Sequence, residues 1–166
     1  MKRTITAFFA MAALAAPALA NEPVSISDIG IGEALQEKAE EYGQRELDYL
    51  AREMRTALER ELGDRLGENG LRLDVVIVDA TPNRPTMEQM ASRGLHMSSI
   101  SVGGASLEAH LFDAQGAELE SYAYSWRSHN IRDVVGYVTW TDARRAIRRF
   151  ADDIGDSLDE MDASGS

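Results

Sequence analysis

Arg84 lies between two prolines in the run Thr81-Pro82-Asn83-Arg84-Pro85-Thr86, where Asn83 and Thr86 also carry hydrogen-bonding side chains. A guanidinium on so stiff a segment can grip a carboxylate or a phosphate through two parallel hydrogen bonds, a geometry that lysine cannot copy. The same fork has an internal use, tying the loop to Asp133 or Asp142. A second cationic group, Arg144, Arg145, Arg148 and Arg149, falls in the first half of the closing periodic segment. Cations there oppose the positive end of the helix dipole. Pairing of Arg148 with Asp152 and of Arg149 with Asp153, together with glutamates on the first helix, would offset that strain. An acidic partner or a phosphate-bearing ligand would instead use Arg144 and Arg148 directly. The aromatic row Tyr122, Tyr124 and Trp126, with Tyr137 and Trp140 beyond it, is core if helices cover it and a binding platform if the face is open. Alternation puts the three bulky side chains on one face of a strand, which favours core. With His129, these residues define a candidate binding set of Asn83, Arg84, Thr86, Trp126, His129, Trp140, Arg144 and Arg148.

Catalytic sets are harder to assemble. His96, His110 and His129 are the only histidines, cysteine is absent, and no two histidines stand at a metal-ligand spacing. The reading is therefore no metal and no cofactor. A serine hydrolase needs a nucleophile on a sharp turn, and Gly103-Gly104-Ala105-Ser106 is the nearest approach to one. The glycine pair is better explained as a close backbone approach where a strand enters a sheet. A small hydrolase using Ser106, or an acid pair near His110 or His129, stays as the alternative. The acidic residues Asp152, Asp153, Asp156, Asp159, Glu160 and Asp162 lack the alternating ligands and central glycine of a calcium loop.

Compartment is read from the first twenty residues. Lys2 and Arg3 precede the apolar run Ala7 to Ala16, and Pro17-Ala18-Leu19-Ala20 offers small residues at a cleavage position. We expect a signal peptide over 1–20, cut near Ala20, and a periplasmic or secreted product. The apolar run is short for a membrane span, and no later segment is apolar for long enough. Asn21, not cysteine, follows the cleavage point, so the expectation includes no lipid anchor. The chain of 166 residues carries a net charge of −11, and loses Lys2 and Arg3 with the leader. So acidic a surface repels phosphate backbones, which argues against nucleic acid and leaves an unidentified protein or small ligand as the partner.

These residues must be positioned by a few elements. Leu47, Leu50, Met54, Ala57, Leu58 and Leu62 recur at spacings of three and four within a helix from about Glu33 to Leu66, weakened at Gly43. Its charged face offers Glu41 with Arg45, Asp48 with Arg52 and Glu61 with Arg65 at i, i+4. Leu71 to Ala80 alternates as a strand whose Val-rich second half reads as buried on both faces. Thr86 to Gln89 can start one helical turn within a loop from Arg84 to Gly104, rich in Met87, Met90 and Met97, whose middle, Ala91 to Met97, is expected to move. A hairpin follows, Ala105–Phe112 and Ala117–Arg127 around Asp113-Ala114-Gln115-Gly116. The closing helix runs from about Thr141 to Leu158, with Thr139 or Thr141 as its cap. The expected fold is α+β in two layers, a long N-terminal helix and a C-terminal helix on a small, mainly antiparallel sheet of three to four strands. It spans residues 21–158 as a single domain and leaves 159–166 as a disordered acidic tail.

Pro82-Asn83-Arg84-Pro85-Thr86, Gly103-Gly104-Ala105, Asp113-Ala114-Gln115-Gly116, Tyr124-Ser125-Trp126 and Thr139-Trp140-Thr141-Asp142-Ala143 together resemble a family of small exported bacterial proteins of uncharacterised function. The resemblance covers about residues 70–152 and implies an envelope protein, with no catalytic residue to transfer. The layout is also similar to envelope accessory lipoproteins of transport systems, from which the missing cysteine is a departure. The expectation is a non-enzymatic periplasmic binding or envelope accessory protein acting through its loop surface.

Overall fold

The computed structural model describes residues 22–165; the expected leader and its cleavage point lie outside them. The extended arm that precedes the first helix, Pro23 to Ile31, supplies two short strands, β1 (Val24–Ile26) and β2 (Gly30–Ile31), which pair parallel with β3 (Leu71–Thr81). Antiparallel pairing then joins β3 to β4 (Gly104–Phe112) and β4 to β5 (Glu118–Arg127). The fold is α+β on a mixed sheet of five strands, one more than expected. The three long strands are antiparallel, while the arm runs parallel because a helical crossover separates it from β3.

Leu71, Leu73, Val75 and Ile77 are buried on one face of β3. Val76 and Val78 on the other face are only half-buried, contrary to the expectation of two-sided burial. The reason is that the helices lie on one side of the sheet. A register shift between Ile77 and Asp79 then turns Ala80 back to the covered face.

The segment read as one long helix is three: α1 (Glu33–Gln36), α2 (Ala39–Tyr42) and α3 (Gln44–Leu62). Gly43 separates α2 from α3 with a φ of 92°, which residues with a Cβ seldom adopt. Leu47, Leu50, Met54, Ala57, Leu58 and Leu62 form the buried stripe of α3, as the spacing requires. The i, i+4 ion pairs do not form among the described residues. Glu41 reaches Arg93, Asp48 accepts from Gln44, and Arg65 reaches the far end of the chain. Exposed i, i+4 pairs are worth only a few tenths of a kcal/mol, so tertiary partners take Glu41 and Arg65 easily, while Asp48 bonds a neutral neighbour on its own helix.

Two helices follow, α4 (Met87–Arg93) and α5 (Thr141–Gly165). The acidic stretch from Asp159, expected to lack structure, continues α5 to Gly165. Arg65 explains this, because one guanidinium nitrogen lies 2.5 Å from both Asp159 Oδ1 and Asp162 Oδ2, three residues apart on one helix face. Helix α5 packs on α3 and covers β4 and β5, burying Ala143, Ala146, Ile147, Phe150, Ile154 and Leu158. Tyr122, Tyr124 and Trp126 turn toward this layer, as the core reading required, but stay half-buried because β5 is the outer strand. Tyr124 lies 6.4 Å from the Phe150 ring, and the Arg149 guanidinium stands 5.8 Å from that of Trp126. Among the described residues no helix is long and apolar enough to cross a membrane.

Candidate functional site

Where β3 ends, β4 and α5 begin. Asn83 sits between them, fully buried. Its Nδ2 donates to Asp142 Oδ2 at 2.6 Å and to Ser101 O at 3.2 Å, while its Oδ1 accepts from the Asp142 amide at 2.9 Å. Its own backbone amide donates to Thr139 O, and its carbonyl accepts from Ser101 N. Asn83 therefore caps α5 from 59 residues away, satisfying one of the helix's orphan amides. Thr141, expected as a cap, turns its hydroxyl back to Val138. Asp142, also fully buried, accepts a further bond from Gly103 N at 3.3 Å. Its Oδ1 accepts no hydrogen bond and faces the Arg145 guanidinium at 3.6 Å. A Cβ on Gly103 would fall 2.7 Å from Asn83 Nδ2, so the glycine pair marks the close approach expected of it.

Arg84 takes neither of its anticipated carboxylate partners. Its Nε donates to Tyr137 O and its Nη1 to Ser98 O, both at 3.0 Å, so the fork joins two loops through their carbonyls. Thr86 is buried as the N-cap of α4, where it and Gln89 exchange bonds in a capping box. Gln89 then donates to Glu41 at 2.7 Å, which docks α4 on α2. The single turn expected from Thr86 is thus a seven-residue helix with a fixed start, and the remainder of the segment up to Gly103 stays loop.

Beside this polar frame lies a cavity of ≈ 400 Å³, lined by Arg84, the three methionines Met87, Met90 and Met97, Tyr137, Val138 and Glu46. Met87 is 72% exposed, Met97 66% and Val138 61%, and Leu95, Ile100, Ile131 and Val135 add further exposed apolar surface from the same two loops. Arg84 also lines a second cavity of ≈ 290 Å³ with Tyr42 and Leu95. Glu46 also lines a third, of ≈ 330 Å³, with Tyr49, Trp140 and Arg144. The Glu46 carboxylate is held by Trp140 Nε1, which donates to it at 2.6 Å. Burial, with Glu41 nearby, pushes the Tyr42 phenol up to about 12. Burial and Glu53 likewise raise Tyr49.

Of the eight expected residues, Asn83, Arg84 and Thr86 therefore come together, two of them as buried frame. Trp140 is buried against Tyr42, with ring centroids 5.7 Å apart, and meets the site through its bond to Glu46. Arg144 pairs with Glu53 of α3 at 2.7 Å, the facing glutamate that the charge pattern called for. Arg148 is exposed, and neither it nor Arg149 forms the expected pair with Asp152 or Asp153 among the described residues. Trp126 and His129 do not line the cavity, and His129 is exposed in the loop after β5. Sequence reasoning missed Glu46 and the methionines as lining. The concentration of Met87, Met90 and Met97 in a segment without sustained period was the signal that could have found them.

The groups named for hydrolysis are dispersed. Ser106 Oγ bonds Ser125 Oγ at 2.9 Å on the uncovered face of the sheet. His110 bonds Glu118 at 2.9 Å and His96 bonds Ser98 at 2.7 Å, both exposed. None of the three histidines lines the cavity.

No protein-family model matches the chain, and no curated protein matches it. Among solved structures it is similar to a provisionally named lipoprotein from Caulobacter crescentus CB15, at 14% identity over 89% of this chain and 91% of that one, with a TM-score of 0.35. It is similar also to a minor lipoprotein from Acinetobacter baumannii, at 12% identity over 87% of this chain and 94% of that one, with a TM-score of 0.32.

Proposed function

We propose that the chain is an exported, non-enzymatic binding or accessory protein of the bacterial envelope, and that it takes an apolar segment of a partner protein into the methionine-lined cavity. The observation that carries this reading is the ≈ 400 Å³ cavity, walled by Met87, Met97 and Val138 that stay largely exposed. Large apolar side chains held in water around a concave site are a feature of binding surfaces. Methionine suits partners of variable shape, since its unbranched thioether re-packs at low cost. Export rests on the leader pattern of residues 1–20, and the absence of enzymatic activity on the dispersal of Ser106 and the histidines.

The test uses the chain without residues 1–20 and the solvatochromic dye Nile red as the apolar probe. One saturable site is expected. Met97→Asp and Val138→Asp should abolish it with little change in melting temperature, since both side chains are exposed. Arg148→Glu should leave it intact. Absence of dye binding, or binding indifferent to the cavity substitutions, would overturn the assignment. Turnover of ester substrates that disappears with Ser106→Ala would restore the hydrolase alternative.

A further inference from the structure

Thioethers are soft ligands, and three of them open on one cavity. Met87 and Met90 stand three apart on α4 and so share a helix face. Met97 arrives from the loop that follows, past the left-handed Gly94 that ends the helix. The chain has no cysteine, so methionine sulfur is its only soft donor. Met54 is buried in the core and Met161 lies on α5; neither lines this cavity. Met87 and Met97 are exposed enough to reorient, and the three rotatable bonds of each side chain let their sulfurs converge on a point between α4 and the loop.

The surrounding charges select the kind of ion. The Glu46 carboxylate and the Arg84 guanidinium both line the cavity and balance each other. Arg84 directs Nε and Nη1 at two carbonyls, and Glu46 accepts from Trp140. One lining carboxylate is too few oxygens for Mg²⁺ or Ca²⁺, which take six or more. A single positive charge on a polarizable ion costs least to desolvate among thioethers. We infer that Met87, Met90 and Met97 form a three-thioether site for a soft monovalent cation, Cu(I) or Ag(I). The site needs no partner protein, so it stands apart from the reading of the cavity as an apolar binding surface.

The experiment titrates Ag(I), in chloride-free buffer, into the chain lacking residues 1–20 and carrying ¹³C-labelled methionine methyl groups. One ion per chain should bind, moving the resonances of Met87, Met90 and Met97 and leaving those of Met54 and Met161 in place. Each of Met87→Leu, Met90→Leu and Met97→Leu should weaken binding by about tenfold or more, the scale on which a lost metal contact is felt. Leucine is close to methionine in volume, so the fold should survive each change. His96→Gln should change nothing, because His96 does not line the cavity. A Cu(I)-chelator competition should rank the same variants in the same order. Two results overturn the assignment: methionine resonances that Ag(I) does not move, and binding by the triple leucine variant as strong as by the native chain. The methyl shifts read the ion without reference to Nile red, so either idea can fail while the other holds.

Discussion

Replacing Asn83 by alanine should destabilise the protein by about 2.5–4 kcal/mol, although the sequence presents the residue as a binding group. The substitution deletes the donor at 2.6 Å from Asp142 Oδ2 and the acceptor at 2.9 Å from the Asp142 amide. Asp142 is fully buried and its Oδ1 already lacks a hydrogen bond, so the carboxylate would keep only Gly103 N at 3.3 Å and the Arg145 guanidinium at 3.6 Å. A charge-assisted bond lost inside the protein costs about 1.5–3 kcal/mol. An uncapped helix amide adds about 1 kcal/mol. The carbonyl of Ser101, an exposed residue, can turn to water at little cost. Urea unfolding followed by circular dichroism should show a lowered midpoint with an unchanged slope. In a double-mutant cycle with Asp142→Ala, the second change should cost far less than it does alone, because removing the carboxylate removes the charge that Asn83 satisfies. A loss under about 1 kcal/mol for Asn83→Ala, or strict additivity with Asp142→Ala, would refute the reasoning.

Three further outcomes are expected. Arg84→Lys and Arg84→Ala should both lower the melting temperature, by an amount worth about 1–2 kcal/mol, since lysine cannot span the carbonyls of Tyr137 and Ser98; a native melting temperature in Arg84→Lys would contradict the clamp. Tyr42 is held protonated by burial, with its phenol raised from 10.0 to about 12. Its contribution is full below pH 10, where the unfolded phenol is neutral too, and is lost as pH climbs from 10 toward 12. Native protein should therefore lose more stability than Tyr42→Phe across that window in alkaline urea titrations, and equal losses would remove the tyrosine from the account. Arg65→Ala should speed amide exchange in the last turns of α5, around Asp159 and Asp162, while exchange at Phe150 stays slow.

The strands that a period of two could announce were legible. Leu71 to Ala80 and the hairpin around Asp113-Ala114-Gln115-Gly116 fall where the alternation put them, and Gly116 takes the positive φ, 84°, that such a turn needs. The stripe of α3 was equally plain, and the weakness at Gly43 proved to be a full break. Strand β1 was legible as a short edge strand, since Val24 and Ile26 alternate with Ser25 and Ser27, but β2, of two residues, is too short for a period, and the parallel pairing of both depends on a partner 46–47 residues on. Helix α4 was half legible: Thr86 and Gln89 have capping-box spacing, but the seven-residue length depends on Gln89 and Arg93 docking on Glu41. Nothing local could announce the bond between Asn83 and Asp142, 59 positions apart. The charge pairs failed for the complementary reason, since helix-surface neighbours are easy to see in a sequence and worth the least in the fold.

The candidate site joins two kinds of residue that a sequence presents in the wrong order of prominence. Asn83, Arg84 and Thr86 attract notice because they are polar and flanked by proline, yet their side chains are bonded to the fold itself. Asn83 reaches Thr139 and Ser101 through its backbone, and Arg84 reaches Tyr137 and Ser98, so the loop before β4 and the loop before α5 are tied to each other twice. A frame cross-braced in this way holds its cavity open before anything enters, which lowers the ordering cost of binding. The walls follow the opposite rule. Met87 and Met97 have few constraints, and their freedom lets one rigid opening accept ligands of more than one shape. On the proposed reading, polarity marks what holds the site, and unpatterned methionine marks what would touch a ligand. If that division is right, loosening the frame with Arg84→Ala should weaken Nile red binding by reducing the open fraction of the cavity, whereas Met87→Leu should leave it nearly unchanged because an apolar wall is replaced by another.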